Sequence, residues 1–285
     1  MNEQNVVKVE RELAGKTLTI ESGRMAKQAH GSAVVRCGDT MVLVASCRGT
    51  APRGFNFFPL TVDYREKTSA AGKFPGGFIK REGRPSTKEI LTMRLIDRSI
   101  RPLFPDGYKD EVQVMASVLS VDDENDPDLL AMVGAYASLA ISDIPFEGTL
   151  GAVKVGKIDG ELVINPSYDD LTGGDLNLTV AGSKESILMV EAGAKEVEED
   201  EMVTALEKAH ESIRVVVEMV EELKKGCGKE KIEFTPPEPN DELVAKVKEL
   251  AWDRIVDASF GGTKSERYDK MDAIKADMVE QLASE

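Results

Sequence analysis

The sequence predicts an α/β fold of the mixed (α+β) kind, with sheets and helices in one large core and a short all-helical segment after it. Three observations predict it. Residues 17–63 alternate apolar and polar side chains with a period of two, the mark of half-buried strands. Helical periods interrupt the strand pattern near 86–101, 129–141 and 200–225. Thr235-Pro-Pro-Glu-Pro-Asn-Asp then breaks all periodicity with three prolines in five positions, and only helical pattern follows.

In chain order, Leu18-Thr-Ile, Ala33-Val-Val-Arg, Met41-Val-Leu-Val-Ala and Leu60-Thr-Val read as four strands in a meander, punctuated by Gly23, Gly38-Asp39 and Pro52 to Gly54. Ser86 and Glu89 form a capping box behind Pro85 and start a helix that runs to about Arg101, where Pro102 stops it. A strand follows at about Val112 to Val121 and a helix of small residues at about Leu129 to Ile141. Four more strands lie near Gly151 to Val155, Glu161 to Ile164, Leu176 to Ala181 and Ile187 to Glu191. The long helix over roughly Asp200 to Lys225 carries a core stripe of Val203, Leu206, Ile213, Val217, Val220 and Leu223, with Lys224, Lys225 and Gly226 closing it. The Glu196 to Glu201 run is the solvated start of that helix. These divisions give a core domain over residues 1–234, a proline-rich linker over 235–240 and a partial helical domain over 241–285. The two helices there, one at about Asp241 to Ala258 and one showing Met271, Ile274, Met278 and Leu282 on one side, cannot bury their stripes alone.

Composition excludes several function classes. No uninterrupted apolar run approaches the roughly eighteen residues of a membrane span, and Met-Asn-Glu-Gln-Asn is not a basic start to a secretion signal. Cys37, Cys47 and Cys227 are odd in number and far apart, which supports neither a disulfide framework nor a zinc site and fits reduced, cytoplasmic thiols. His30 and His210 stand beside no recognisable nucleophile motif. Gly261-Gly-Thr-Lys-Ser lacks the spacing of a phosphate-binding P-loop. Phe55, Phe57 and Phe58 read as core residues at a strand start.

What remains is a focused cationic patch on an acidic chain. The whole sequence carries a net charge of −15, yet between Arg65 and Arg101 ten Lys and Arg stand against four Asp and Glu. An acidic chain repels nucleic acid unless its cations are gathered in one place. Here they gather on Phe74-Pro-Gly-Gly-Phe78-Ile79-Lys80-Arg81-Glu-Gly-Arg84 and on the helix behind it, where Arg94, Arg98 and Arg101 share one face at i, i+4 and i+7. An apolar, glycine-flanked tip with cations suits a backbone that approaches a phosphodiester chain, and points to single-stranded RNA. The rest of the helix circumference is mostly apolar, including Ile90, Leu91, Met93, Leu95, Ile96 and Ile100, which predicts packing on several sides. Its arginines meet either the chain's own carboxylates, Asp97 first among them, or the phosphates of a ligand.

Gly38-Asp-Thr, Phe57-Phe-Pro-Leu-Thr-Val-Asp63-Tyr, Ala71 through Ser86, Arg94-Leu-Ile-Asp-Arg-Ser-Ile-Arg-Pro-Leu-Phe-Pro and Leu188-Met-Val-Glu-Ala-Gly-Ala together resemble the polynucleotide phosphorylase family. The resemblance covers about the whole chain. It implies a ribonuclease PH-like core, the first of the family's two, with part of its helical linker domain; the second core and the C-terminal RNA-binding modules are absent from this sequence. The family's reaction is attack of inorganic phosphate on the 3'-terminal phosphodiester of RNA, releasing nucleoside diphosphates reversibly, and it requires magnesium.

The resemblance places that chemistry in the second core, on a serine-rich phosphate loop and an Asp-x-Asp-x-Lys element. The cognates here are Glu124-Asn-Asp-Pro-Asp128, which is acidic, and Asp175-Leu-Asn177-Leu-Thr179, which has lost one carboxylate and the lysine. No catalytic residue and no metal site is therefore expected in this chain. The resemblance leaves it RNA handling by Phe78, Ile79, Lys80 and Arg81 at the pore of a homotrimeric ring, and partners in RNA degradation; the cationic patch itself adds Arg84 to the RNA-binding residues and backbone or phosphate binding by Arg94, Arg98 and Arg101. Ile79 stands where a second phenylalanine is common. A non-catalytic RNA-binding or ring-assembly subunit is the alternative that the changes at Asn177 and Thr179 favour.

Overall fold

The computed structural model describes residues 6–50, 57–236, 238 and 240–283. The readings made at Met1 to Asn5, Pro52 to Gly54, Phe55, Pro237, Pro239 and Glu285 lie outside them. The chain divides into two units, Met1–Thr235 and Pro236–Glu285.

The first unit opens with β1 (Val7–Leu13), β2 (Lys16–Ser22), β3 (Gly31–Cys37) and β4 (Thr40–Arg48), each antiparallel to the next. Ala14 and Gly15 both take left-handed backbone, at φ of 52° and 74°, the pair of positive φ values that tight hairpins between right-twisted strands require. The sequence pattern does not single out β1, because only Val9 and Leu13 of it are buried. The four-strand meander is corrected at its last member. β5 (Leu60–Arg65) does not pair with β4; β6 (Val112–Ser120) lies between them, antiparallel to β4 and parallel to β5. A parallel pair needs a crossover, and α1 (Thr87–Ile100) supplies it.

A second, antiparallel sheet contains β7 (Gly151–Ile158), β8 (Glu161–Ile164), β9 (Leu176–Gly182) and β10 (Ile187–Ala194) in the order β10-β9-β7-β8. A short helix, α3 (Tyr168–Gly173), which the sequence pattern does not announce, joins β8 to β9. Between the sheets lie α2 (Pro127–Ile141) and α4 (Glu199–Cys227). Helix α2 packs on β3, β4 and β6 of the first sheet, on β7 of the second and on α4. Every residue of α2 is buried, which explains its small and apolar composition. The approach to the first sheet is close enough that a Cβ at Gly31 would lie 1.9 Å from the Ser138 carbonyl oxygen, and one at Gly134 would lie 2.4 Å from Val44 Cγ2.

Two helix readings change. Gly226 does not close α4; the helix runs to Cys227, and the Gly228 N–H donates to the Lys224 carbonyl at 2.8 Å. Gly226 serves packing instead, since a Cβ there would meet Val7 Cγ1 at 2.7 Å. Helix α1 is not packed on several sides: Thr92, Ile96, Ser99 and Ile100 are buried, while Ile90 and Leu91 are exposed. Its capping box forms as the sequence predicts, with Ser86 Oγ accepting from Glu89 N and the Glu89 carboxylate accepting from Ser86 N. Phe57 is also corrected, being 62% exposed, whereas Phe58 packs 4.6 Å from Phe104 and 5.5 Å from Tyr108, measured between ring centroids.

The second unit holds α5 (Asp241–Ser259) and α6 (Lys264–Leu282), which bury Ala251, Ala258, Ile274 and Met278 against each other. Gly261 and Gly262, both left-handed, make the turn between them, and Thr263 with Glu266 caps α6. No helix among the described residues is long and apolar enough to cross a membrane.

Candidate functional site

The segment from Gly72 to Pro85 connects β5 to α1 as a loop with a pinned base and a free tip. At the base, Glu82 Oε1 accepts from Thr68 N at 2.9 Å and from Thr68 Oγ1 at 2.8 Å, and Arg65 Nη2 donates to the Gly83 carbonyl at 3.1 Å. Glu89, buried in the first turn of α1, adds an acceptor for Glu66 N at 2.9 Å and lies 3.5 Å from Arg65 Nε. Gly77 and Lys80 take left-handed backbone, at φ of 75° and 54°, and turn the tip outward. Phe74, Phe78 and Ile79 stand 93%, 102% and 75% exposed. Such exposure of three large apolar side chains costs solvation and makes the tip a candidate contact surface. Lys80, Arg81 and Arg84 are exposed beside them and make no side-chain hydrogen bond or ion pair among the described residues.

The arginine row divides. Arg101 pairs with Asp97 through two nitrogens, at 2.5 and 3.0 Å, donates to the Phe58 and Leu60 carbonyls, and lies 5.7 Å from the Phe58 ring centroid. Arg98 reaches across to Glu191 on β10 at 2.5 Å and to the Val190 carbonyl at 3.3 Å. Arg94 is exposed, with no such partner among the described residues. Of the two partners open to the row, carboxylates therefore take Arg98 and Arg101 in this structure, and Arg94 keeps its guanidinium in solvent.

The two segments that the resemblance pairs with the family's catalytic elements converge on a residue that the sequence reading missed. Lys154 of β7 sits across from Thr179 of β9, and its ammonium reaches Asp126 Oδ2 at 2.5 Å and Asp128 Oδ2 at 2.9 Å. The three side chains are 8%, 7% and 9% exposed. Asp126 also caps α2 and meets Lys88 Nζ at 3.4 Å; Lys88 in turn pairs with Glu66 at 3.0 Å, which accepts from the buried Tyr64 hydroxyl at 2.6 Å. Burial opposes each charge, but Lys154 and Lys88 outweigh it at Asp126 and hold that carboxyl below its usual range; at Asp128 burial prevails and pushes the carboxyl up. Burial also works against Lys154, and the two carboxylates more than offset it. A lysine at a fully buried position of an apolar strand was the signal in the sequence, since such a charge needs a partner.

Two lysines thus meet part of the negative charge of the acidic loop before α2. The loop is also stapled to the β3–β4 hairpin. Asp122 accepts from Asp39 N, Glu124 N, Asn125 N and the Asn125 amide at 2.7 to 3.1 Å. Burial opposes the Asp122 charge, but these donors prevail and hold its carboxyl far below the usual range. A depressed folded pKa contributes stability that is present above the unfolded value near 4 and lost as pH falls through the folded one. Asp122→Asn should therefore cost about 1 kcal/mol at pH 7, the low end for a partly exposed group, and the gap to the parent should close on acidification in urea unfolding curves.

Among the described residues no three His, Cys, Asp or Glu are grouped to hold a metal ion. Asn177 is exposed on β9 and Thr179 is buried at the position paired with Lys154, a donor set that does not fit magnesium. Of the two histidines, His30 Nδ1 accepts from Arg48 N, and His210 Nε2 lies 3.1 Å from the Ser183 carbonyl.

Residues 14–145 match domain 1 of the 3' exoribonuclease family and residues 148–212 match its domain 2. The chain is 50% identical over 279 residues to a polyribonucleotide nucleotidyltransferase of Geotalea uraniireducens, covering 98% of this chain and 40% of that protein. The corresponding protein of Roseiflexus sp. is 46% identical over 286 aligned residues, covering 100% of this chain and 38% of the relative. Among solved structures, rice (Oryza sativa) Rrp46 superposes with a TM-score of 0.58 at 16% identity, over 74% of this chain and 96% of that one, a likeness of fold. The chain therefore belongs to the 3' exoribonuclease family, and along nearly its whole length it is homologous to polyribonucleotide nucleotidyltransferases, of whose own length it spans about 40%.

Proposed function

We propose that this chain is the RNA-handling portion of a phosphate-dependent 3'-to-5' exoribonuclease that converts single-stranded RNA to nucleoside diphosphates. The observation that carries the reading is the loop tip, where Phe78 and Ile79 stand in solvent beside the unpaired Lys80, Arg81 and Arg84 on a hydrogen-bonded base. Bases stack on Phe78 and press against Ile79, while the three cations follow the phosphates. Arg94 extends that path along α1. Arg98 joins it by exchanging Glu191 for a phosphate, an exchange that costs little because both partners are half exposed. Arg101, held by Asp97 and two carbonyls, contributes field and fixes the start of β5.

A homotrimeric ring would bring three such tips around one pore. Inorganic phosphate is the co-substrate of the complete enzyme, and magnesium acts on sequence outside this chain. The setting is cytoplasmic, with RNA-degradation proteins as further partners. A second reading, a non-catalytic RNA-binding or ring-assembly subunit, draws on the Lys154 cluster, which closes the cognate of the catalytic site with the protein's own charges.

The test is incubation of the purified chain with a single-stranded oligoribonucleotide and magnesium, with and without phosphate, alongside a binding titration. RNA binding without release of nucleoside diphosphate is the expected result. Phosphate-dependent release would assign catalysis to this half, and absence of binding at low salt would remove the RNA-handling reading.

A further inference from the structure

Beyond RNA handling, we propose that Lys154 is a resident cation: an ammonium that the protein holds between Asp126 and Asp128 and that keeps out a divalent ion those carboxylates would otherwise bind. Three observations support it. Both carboxylates are almost fully buried, and each turns one oxygen to Nζ within 2.9 Å. The other Asp128 oxygen, on a residue 6% exposed, has no hydrogen-bond partner, so the cluster contains a spare buried acceptor that the ammonium leaves unused. A cavity of about 30 Å³ adjoins Lys154, Asp126 and Asn165 among apolar side chains such as Leu129 and Val133, room for about one water molecule on the Asp126 side as an additional ligand.

Charge decides which cation fits. Asp126, Asp128 and Glu66 face Lys154 and Lys88, which leaves the connected group one negative charge in excess. Without Lys154 the excess is two, and one divalent ion would neutralise it. The ammonium is carried on a strand fixed by the Lys154 N–H bond to Asn165 Oδ1 at 2.9 Å and by pairing with β9, so it occupies the space at an effective concentration that no free ion matches.

Lys154→Met keeps the length of the side chain and removes its charge. Manganese binding to parent and variant, followed by electron paramagnetic resonance and by thermal unfolding with and without chelator, tests the inference. The variant should bind one manganese ion at least about tenfold more tightly than the parent. It should also unfold at a lower temperature than the parent in chelator and recover on adding manganese, while the parent's unfolding temperature stays constant. Adding Asp126→Asn and Asp128→Asn to the variant should abolish that binding. If Lys154→Met does not fold in chelator, refolding it and Lys154→Gln in manganese replaces the comparison, and recovery of the native circular dichroism is expected. The inference is overturned if folded Lys154→Met binds manganese no better than the parent. It is equally overturned if manganese rescues neither variant, or if the parent already binds manganese in a way that Asp126→Asn removes.

Discussion

Gly31→Ala is expected to lower the unfolding temperature by about 10 °C. A Cβ on Gly31 would lie 1.9 Å from the Ser138 carbonyl oxygen and 2.9 Å from Ser142 Cβ. The first neighbour is backbone of α2, and α2 is buried on every side, so it has nowhere to retreat. Forcing strand and helix apart costs about 3 kcal/mol, near the upper end for an overpacked core, and in a unit of this size each kcal/mol moves the midpoint by about 2–4 °C. Scanning calorimetry of Gly31→Ala against Gly173→Ala, where an added Cβ meets nothing within 4 Å, separates the clash from the general effect of replacing glycine. Equal midpoints for Gly31→Ala and the parent would mean that α2 lies farther from the first sheet than described.

The largest expected effect on ligand binding comes from removing the open cations together. Lys80, Arg81, Arg84 and Arg94 are exposed and unpaired among the described residues, so each is free to displace a counterion from RNA. With about 0.7 ions released per single-strand phosphate contact, the fourfold alanine variant should flatten the slope of log K against log salt by about 2.8. Between 50 and 200 mM salt the variant would then lose about 50-fold less affinity than the parent, having started weaker at low salt. Phe78→Ala should behave differently, losing about 1–3 kcal/mol of binding with the slope unchanged, because stacking releases few ions. Fluorescence anisotropy with a labelled oligoribonucleotide at four salt concentrations gives both numbers. An unchanged slope in the fourfold variant would remove these residues from the RNA path.

Local chemistry in the sequence carried over into structure with small errors. The Ser86–Glu89 capping box, Gly38-Asp39 between β3 and β4, and the apolar stripe of α4 from Ile213 to Leu223 each depend on neighbours within a few residues, and each formed close to its expected position; Val203, read as the first member of that stripe, is instead exposed, because the first turns of α4 bury Ala205 and Ala209. Pairing order did not carry over in the same way. Nothing within residues 17–63 tells β5 to leave β4 open for a strand that begins at Val112, since that choice is made by the β5-α1-β6 crossover. The apolar run on α1 was also misleading: Ile90 and Leu91 have the composition of core residues, but β5, α2 and β10 cover only the opposite side of the helix. For the site, the loop and its cations were legible as a cluster of residue types. The division among Arg94, Arg98 and Arg101 was not, because Glu191 lies 93 residues away from Arg98. Lys154 escaped because its partners, Asp126 and Asp128, lie on a different element, and charge distant in sequence carries no periodic signal.

Helix α2 also bears on where this chain can be divided. The family boundary falls between residues 145 and 148, just after that helix, and suggests two modules. Folding does not follow the boundary. The same fifteen residues complete the interior beneath β3 and β4 and also fill the space beside β7 and α4, so a polypeptide ending at residue 145 would carry α2 with one flank stripped of its cover. Such a fragment would leave part of the wholly buried, largely aliphatic surface of α2 without its cover and would associate with itself before it could serve as an independent part. Gene designs that exchange one half for that of a relative should therefore move the junction past α4, to the segment near Thr235 where the compact unit ends.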